Sequence, residues 1–170
     1  MRKHVVKVVS GLSLCSVLLL GCSDPYASIV SDDFSIYLAD PGYTVQQLVA
    51  GELELDDLVI DAEPILTLDD IISYTWSVHE LDVTPAARAR LASAELGRVF
   101  VVTALDDRMY MGAFWESWSS VAPVDISISK WHLENQDTPF PIWNFVEEGA
   151  EDLRADSKIR RVLEAAGKLH

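Results

Sequence analysis

His79 is the polar residue best placed for chemistry, because it follows an alternating apolar stretch and stands beside Trp76 and Glu80. An imidazole titrates near neutral pH, so it can transfer protons or bind a metal. With Ser119 or Ser120 and a carboxylate, it would supply the groups of a hydrolytic triad. The chain has no Gly-x-Ser-x-Gly nucleophile motif, however, and a histidine that only hydrogen-bonds a neighbour is the alternative. We therefore expect no enzyme and keep these three residues as catalytic candidates.

The sequence predicts no metal or other cofactor. After the N-terminal segment its histidines are far apart, and none has the spacing of a zinc site. Paired acids recur along the chain, but without the alternating oxygen ligands and glycine of a calcium loop. Acidic residues that lie in turns exposed to solvent are the alternative explanation of these pairs. These pairs are Asp32/Asp33, Asp56/Asp57, Asp69/Asp70 and Asp106/Asp107.

Aromatic residues are dense in the second half of the chain, and they are typical both of recognition surfaces and of cores. We expect a binding surface on the loop from Trp115 to Ser120 and on the adjacent sheet face, with Trp118 and Trp131 partly exposed. A glycine at position 112 would either leave a shallow groove or make room for a crossing backbone. The candidate binding residues are Trp115, Trp118, Ser119, Ser120, Tyr110 and His79.

The N-terminus has the pattern of a secretory signal, with a basic start at Arg2 and Lys3 and an apolar run that ends at Leu20. The run is shorter and more broken than a membrane-spanning helix requires. It closes with Leu19-Leu20-Gly21-Cys22, which resembles the lipobox of bacterial lipoproteins. The resemblance implies cleavage before Cys22 and acylation of that cysteine, since two or three acyl chains anchor stably. An ordinary signal peptide is the alternative.

Charge and cysteine content limit the remaining possibilities. The chain has 170 residues, with 27 Asp and Glu against 13 Lys and Arg, a formal net charge of -14. Such acidity argues against nucleic-acid binding, which needs clustered basic residues. The two cysteines are Cys15 and Cys22, so a domain cleaved before Cys22 would have neither a disulfide nor a cysteine nucleophile.

Patterns along the chain predict an α+β fold with a mostly antiparallel sheet and helices on one face. The firmest tertiary expectation is a hairpin of residues 99–105 and 109–115. Residues 72–83 alternate and then change phase at His79, which predicts one strand with a β-bulge. The expected regions are a signal peptide (1–21), a lipid-anchored tether (22–33), an α+β domain (34–136), and a Pro-containing linker with a C-terminal helix (137–170).

Two resemblances are visible in the domain. A family of small bacterial lipoproteins without an assigned activity is similar in its Pro64-Ile65-Leu66-Thr67, Asp70-Ile71, Tyr110-x-Gly-Ala-Phe and Ser119-Ser120 motifs. A Thr84-Pro85 helix start followed by the hairpin is also similar in order to the periplasmic head of the translocase subunit SecD. That resemblance implies a ferredoxin-like βαββ core and no particular function.

Together these patterns predict a lipoprotein held in the cell membrane or outer membrane by Cys22, facing the periplasm or the cell exterior. Its expected role is to bind an envelope protein, peptide or glycan without catalysis. A weak hydrolase using His79 with a loop serine and a purely structural envelope protein are the alternatives.

Overall fold

Eight strands and four α-helices make up the part of the chain that the computed structural model describes, residues 34–116, 124–145 and 149–170. The strands are β1 Ser35–Leu38, β2 Leu66–Thr67, β3 Ile71–Thr75, β4 Glu80–Val83, β5 Val99–Ala104, β6 Asp107–Trp115, β7 Ile126–Ser129 and β8 Phe140–Asn144. The helices are α1 Val45–Val49, α2 Pro85–Ser93, α3 Lys130–Asn135 and α4 Ser157–Ala165.

All eight strands belong to one sheet, in the order β2-β1-β5-β6-β7-β8-β4-β3. Every pair is antiparallel except β6 with β7, which are parallel. The edge strands β2 and β3 are joined only by the turn Leu68–Asp70. Because three residues reach at most about 11 Å, the sheet must curl until its edges nearly meet. The predicted α+β class with a mostly antiparallel sheet is confirmed.

Short local signals set where the helices begin. Thr44 caps α1 in a capping box with Gln47, and Thr67 does the same with Asp70 before the turn Leu68–Asp70. Thr84 accepts a hydrogen bond from the Ala87 N–H at the start of α2. Each hydroxyl satisfies a backbone donor that the first helical turn leaves free. The helix start expected at Thr84-Pro85 is confirmed.

The main core lies inside the curled sheet and takes side chains from all eight strands and from α2, α3 and α4. β5 is buried along its whole length, as its apolar run predicts. Its inward residues, such as Phe100, join the main core, and Val99 and Val101 pack on the other face of the sheet. There Val45 of α1 contacts Ala113 and Trp115. Helices therefore cover both faces, whereas we expected them on one.

The β5–β6 hairpin forms as predicted and turns at Leu105 and Asp106, both with positive φ. In β6, Gly112 lies where β7 crosses. A Cβ there would be 2.5 Å from the Ile126 carbonyl oxygen and 2.6 Å from Phe100 Cζ. Of the two interpretations of Gly112, room for a crossing backbone is confirmed.

The single bulged strand predicted over residues 72–83 is wrong. β3 and β4 form a hairpin around a turn of residues 76–79, in which His79 has φ 52°. This turn produces the change at His79 in the alternation of apolar and polar residues. A tight chain reversal shifts that two-residue pattern by one position, as a bulge does. The register irregularity in this pair lies instead between Ile71 and Ser73.

The linker expected at the start of residues 137–170 is also wrong, whereas the C-terminal helix expected there is present but short. Phe140–Asn144 is strand β8, which lies between β7 and β4, and the helix there is the nine-residue α4. Both segments pack in the main core, and the buried Arg88 of α2 donates to the Gln136 carbonyl at 2.8 Å. Residues beyond 136 therefore belong to the same core as the earlier strands.

The chain ends against the edge of the sheet. Leu169 pairs with Tyr74 in a parallel bridge, and the Tyr74 N–H donates to the Lys168 carbonyl at 2.7 Å. The terminus thus covers part of the free edge of β3. Within the three described ranges, no helix has the length and apolarity needed to cross a bilayer.

Candidate functional site

A cleft of about 280 Å³ opens beside the ends of β6, β7 and β8, and most of its wall is aromatic. We call it the aromatic cleft. Its lining residues are Trp115, Glu116, Ser127, Ser129, Trp131, His132, Trp143 and Phe145.

The register of three strands creates this wall. Ser127 of β7 pairs with Trp143 of β8, and Ser129 pairs with Trp115 of β6. Paired residues point to the same face of a sheet, and so do residues two apart on one strand. Two small serines therefore lie between the large indoles on one face, and the space that they leave open forms the floor of the cleft.

Three of the aromatic side chains remain accessible. Trp131 is 42%, Trp143 41% and Phe145 45% exposed. Trp143 and Phe145 are stacked with ring centroids 6.2 Å apart, and Phe145 meets the edge of the buried Trp115 at 6.0 Å. Accessible apolar rings gathered at one concave place are typical of a binding site rather than of a core.

Glu116 supplies the polar wall of the cleft, although it is only 5% exposed. Its carboxylate accepts the backbone N–H of Trp131 and the hydroxyl of Ser129, the latter at 3.2 Å. Both donors belong to the start of α3, where Ser129 is the N-cap. The positive end of a helix stabilises a carboxylate, so the side chain is held in one place.

Within the described ranges, no basic side chain forms an ion pair with Glu116. The nearby Lys130 is used elsewhere: its Nζ donates to the carbonyls of Ala92 and Ala94 and lies 3.4 Å from Glu134 Oε1. The cleft therefore combines a fixed acidic group with aromatic surfaces.

Two further polar atoms of the cleft residues are buried without a hydrogen-bond partner among the residues that the structure describes. They are Nε1 of Trp115 and Nδ1 of His132. Buried polar groups are normally paired, so each unpaired one calls for an explanation. Both side chains line the aromatic cleft, although these two atoms are themselves covered.

His79 lies elsewhere, in a buried group of polar side chains between β3, the β3–β4 turn and the segment before α4. Its Nδ1 is 2.8 Å from the Tyr74 hydroxyl, and its Nε2 is 3.6 Å from Asp152 Oδ2. Arg154 donates two hydrogen bonds to Asp152, from Nη2 to Oδ2 at 2.6 Å and from Nε to Oδ1 at 2.8 Å. Arg154 also donates to the Ile142 carbonyl, which ties this group to β8.

Burial, together with the Arg154 charge, lowers the pKa of His79, although Asp152 opposes this shift. Burial raises the pKa of Tyr74 well above its usual range, so the phenol keeps its proton and shares a hydrogen bond with His79 Nδ1. The Arg154 guanidinium lowers the pKa of Asp152 to about 2. Both ring nitrogens of His79 thus face protein groups, as in a histidine that hydrogen-bonds a neighbour.

A second cavity, of about 320 Å³, lies on the face of the sheet near α1. Its wall includes Leu48, Leu55, Met111 and Leu153, with the edge of Tyr110. Tyr110 is itself buried in the main core, so this candidate binding residue is not part of the accessible aromatic cleft. Its ring fills the interior of the curled sheet.

The structure brings together only part of the expected binding surface. Trp115 lines the aromatic cleft, but His79 and Tyr110 lie in the polar group and the core. The expected partial exposure of Trp131 is confirmed. Four other candidates fall outside the described residues, namely Cys22, Trp118, Ser119 and Ser120.

The sequence interpretation missed Glu116, His132, Trp143 and Phe145 as site residues. The alternation of Trp143 and Phe145 was the available signal, because residues two apart on a strand share a face. In the described part of the chain, no cluster of His, Cys, Asp and Glu could hold a metal ion. Comparisons of the chain with known protein families, with curated proteins and with solved structures found no match.

Proposed function

We propose that this protein is a lipid-anchored envelope protein that binds a ligand in the aromatic cleft and catalyses no reaction. The observation that carries the proposal is the grouping of three accessible aromatic side chains around the fixed carboxylate of Glu116. Aromatic side chains at recognition sites combine a large apolar area with a low cost in conformational entropy.

The anchor in this proposal is Cys22, acylated after removal of residues 1–21. The basic start, the apolar run and Leu19-Leu20-Gly21-Cys22 support it. Residues 23–33 would then separate the core from the membrane surface. The strong negative charge of the chain would keep the domain away from anionic lipids, which leaves the cleft free for a ligand in the periplasm or outside the cell.

A binding role agrees better with the polar residues than a hydrolytic one. A general base needs a free ring nitrogen directed at the nucleophile, whereas His79 already contacts Tyr74 and faces Asp152. The ferredoxin-like core remains part of the proposal only through the order of elements along the chain, β4–α2–β5–β6. In the sheet itself, β4 lies beside β8 and β3 rather than beside β5 or β6.

The test is site-specific crosslinking in living cells. A photoreactive phenylalanine analogue replaces Phe145 in the full chain, and a matched control carries it at Ile72, which is 52% exposed on β3. We expect one dominant adduct from position 145, detected by intact mass, that disappears with Trp143→Ala. Equal labelling from both positions, or none from 145, would contradict a ligand site in the cleft.

A further inference from the structure

We infer that the aromatic cleft binds a small organic cation whose ammonium group is alkylated, with Glu116 as its counter-charge. The inference rests on the proposed function, since it names the chemical class of the ligand for the same site. Three observations carry it: the charge of Glu116, which has no ion-pair partner among the described residues, the accessible aromatic rings and the size of the cleft.

The first observation concerns charge. Glu116 is the only carboxylate among the described residues that line the cleft, and none of those residues is Lys or Arg. Residues 117–123 and 146–148, which adjoin the lining residues in sequence, contain no Lys, Arg or His. A carboxylate removed from water is unfavourable unless a positive charge or hydrogen bonds compensate. Glu116 has the hydrogen bonds, and a bound cation would supply the positive charge.

The second observation concerns the kind of cation. Trp131, Trp143 and Phe145 offer ring surfaces, and the π face of an indole attracts cations. An alkylated ammonium group is weakly hydrated and makes contacts through its methyl groups, so it suits such a wall. A primary ammonium would instead need several hydrogen-bond acceptors. Only one carboxylate is present on the described wall, and it already accepts bonds from Trp131 and Ser129.

The third observation concerns size. The cleft encloses about 280 Å³, near the lower end of the roughly 300–1,000 Å³ of sites for drug-sized molecules. A small molecule fits this volume better than a long polymer. We therefore assign the ligand as a free small cation rather than a lipid headgroup or a glycan chain, although sugar rings also stack on tryptophan.

The experiment is calorimetric titration of the full chain in a detergent that has no ammonium headgroup. The probes are choline and 3,3-dimethyl-1-butanol, a neutral molecule of the same shape in which carbon replaces nitrogen. We expect choline to bind at least about 10-fold more tightly than the neutral probe. Equal affinities would overturn the inference. So would tighter binding of glucose, or binding of phosphatidylcholine vesicles without binding of choline.

Matched variants locate the effect. Glu116→Gln keeps an acceptor for the Trp131 N–H but removes the charge, and should weaken choline binding about 10-fold. Glu134→Gln removes the same charge from the exposed side of α3 and should change nothing. Unchanged binding in Glu116→Gln would overturn the inference. If that variant fails to fold, the comparison of choline with its neutral analogue in the wild-type protein decides.

The inference and the proposed function fail in different ways. An adduct from position 145 that choline does not displace would leave the cleft as a ligand site but overturn its assignment to a cation. Absence of both the adduct and choline binding would overturn both.

Discussion

The Tyr74 hydroxyl lies 2.8 Å from Nδ1 of His79, and both side chains are buried. This bond joins β3 to the turn that follows it, and Asp152 and Arg154 continue the contact toward the C-terminal segment. A polar group of this kind stabilises the fold only while every member is paired. It therefore predicts effects on stability rather than on ligand binding.

Removing the Tyr74 hydroxyl should destabilise the protein, because Nδ1 of His79 would remain buried without this hydrogen-bond partner. We expect Tyr74→Phe to lower the free energy of unfolding by about 1–3 kcal/mol in urea titrations. The matched control is Tyr43→Phe, whose hydroxyl accepts an exposed backbone N–H from Val59, and it should cost less than about 1 kcal/mol. Equal losses of unfolding free energy in the two variants would show that the buried Tyr74–His79 bond stabilises the fold no more than the exposed bond of Tyr43.

His79 should make the stability depend on pH. Because burial lowers its pKa in the folded state, the unfolded chain binds a proton more readily once the pH falls below about 6.5. Its contribution is present above that pH and is lost as the pH falls toward the lowered pKa. We expect the melting temperature to drop between pH 7.5 and 5.5.

The variant that tests this pH dependence is His79→Asn, since asparagine tolerates the positive φ of position 79. It should flatten the fall in melting temperature over the same range, and His170→Asn, at the exposed terminus, should not. The pKa of Asp152 is lowered to about 2, so this carboxyl group does not contribute to the fall between pH 7.5 and 5.5. An equally steep fall in His79→Asn would rule out His79 as the source.

Gly112 should not tolerate a side chain. The methyl group of Gly112→Ala would meet the backbone of Ile126 and the ring of Phe100, and moving a backbone costs more than moving a side chain. We expect a loss of about 1–3 kcal/mol in the free energy of unfolding. Gly42→Ala is the control, because its Cβ would meet only the end of the Asp40 side chain. If Gly112→Ala left the free energy of unfolding unchanged, β7 would have to be able to move away from the added methyl group.

Replacing Cys22 should release the protein from the membrane if this residue is the lipid anchor. We expect Cys22→Ser to move the full chain from the membrane fraction to the soluble or unprocessed fraction, since the acyl chains provide the anchoring. Cys15→Ser should remain with the membrane. Retention of a processed Cys22→Ser protein in the membrane would contradict a lipid anchor at this position.

Features that depend on neighbouring residues were predictable from the sequence. Caps at Thr44 and Thr84 and the β5–β6 hairpin follow from local hydrogen bonding and alternation. The turn at His79 was mistaken for a bulge, because a reversal and an inserted residue shift a two-residue period in the same way. The antiparallel pairing of Thr75 with Glu80, which the sequence does not reveal, separates the two.

Features that depend on distant pairing were not predictable. Pro139 and Pro141 favour a linker, yet β8 forms because Pro141 lies where its ladder with β7 has ended and Ile142 donates to the His79 carbonyl. Glu116 was missed for a similar reason. In such an acidic chain a carboxylate predicts a solvated surface, whereas Glu116 is buried and accepts a hydrogen bond from the start of α3.

The most direct test of the account is ¹⁹F NMR of the full chain labelled with 5-fluorotryptophan and titrated with choline. Tryptophan-to-phenylalanine variants would assign the resonances. We predict that the signals of Trp131 and Trp143 in the aromatic cleft shift and saturate together, and that the signal of Trp76, which packs by the His79 group, stays fixed. No shift at Trp131 and Trp143, or equal shifts at Trp76, would contradict a cation site in the cleft.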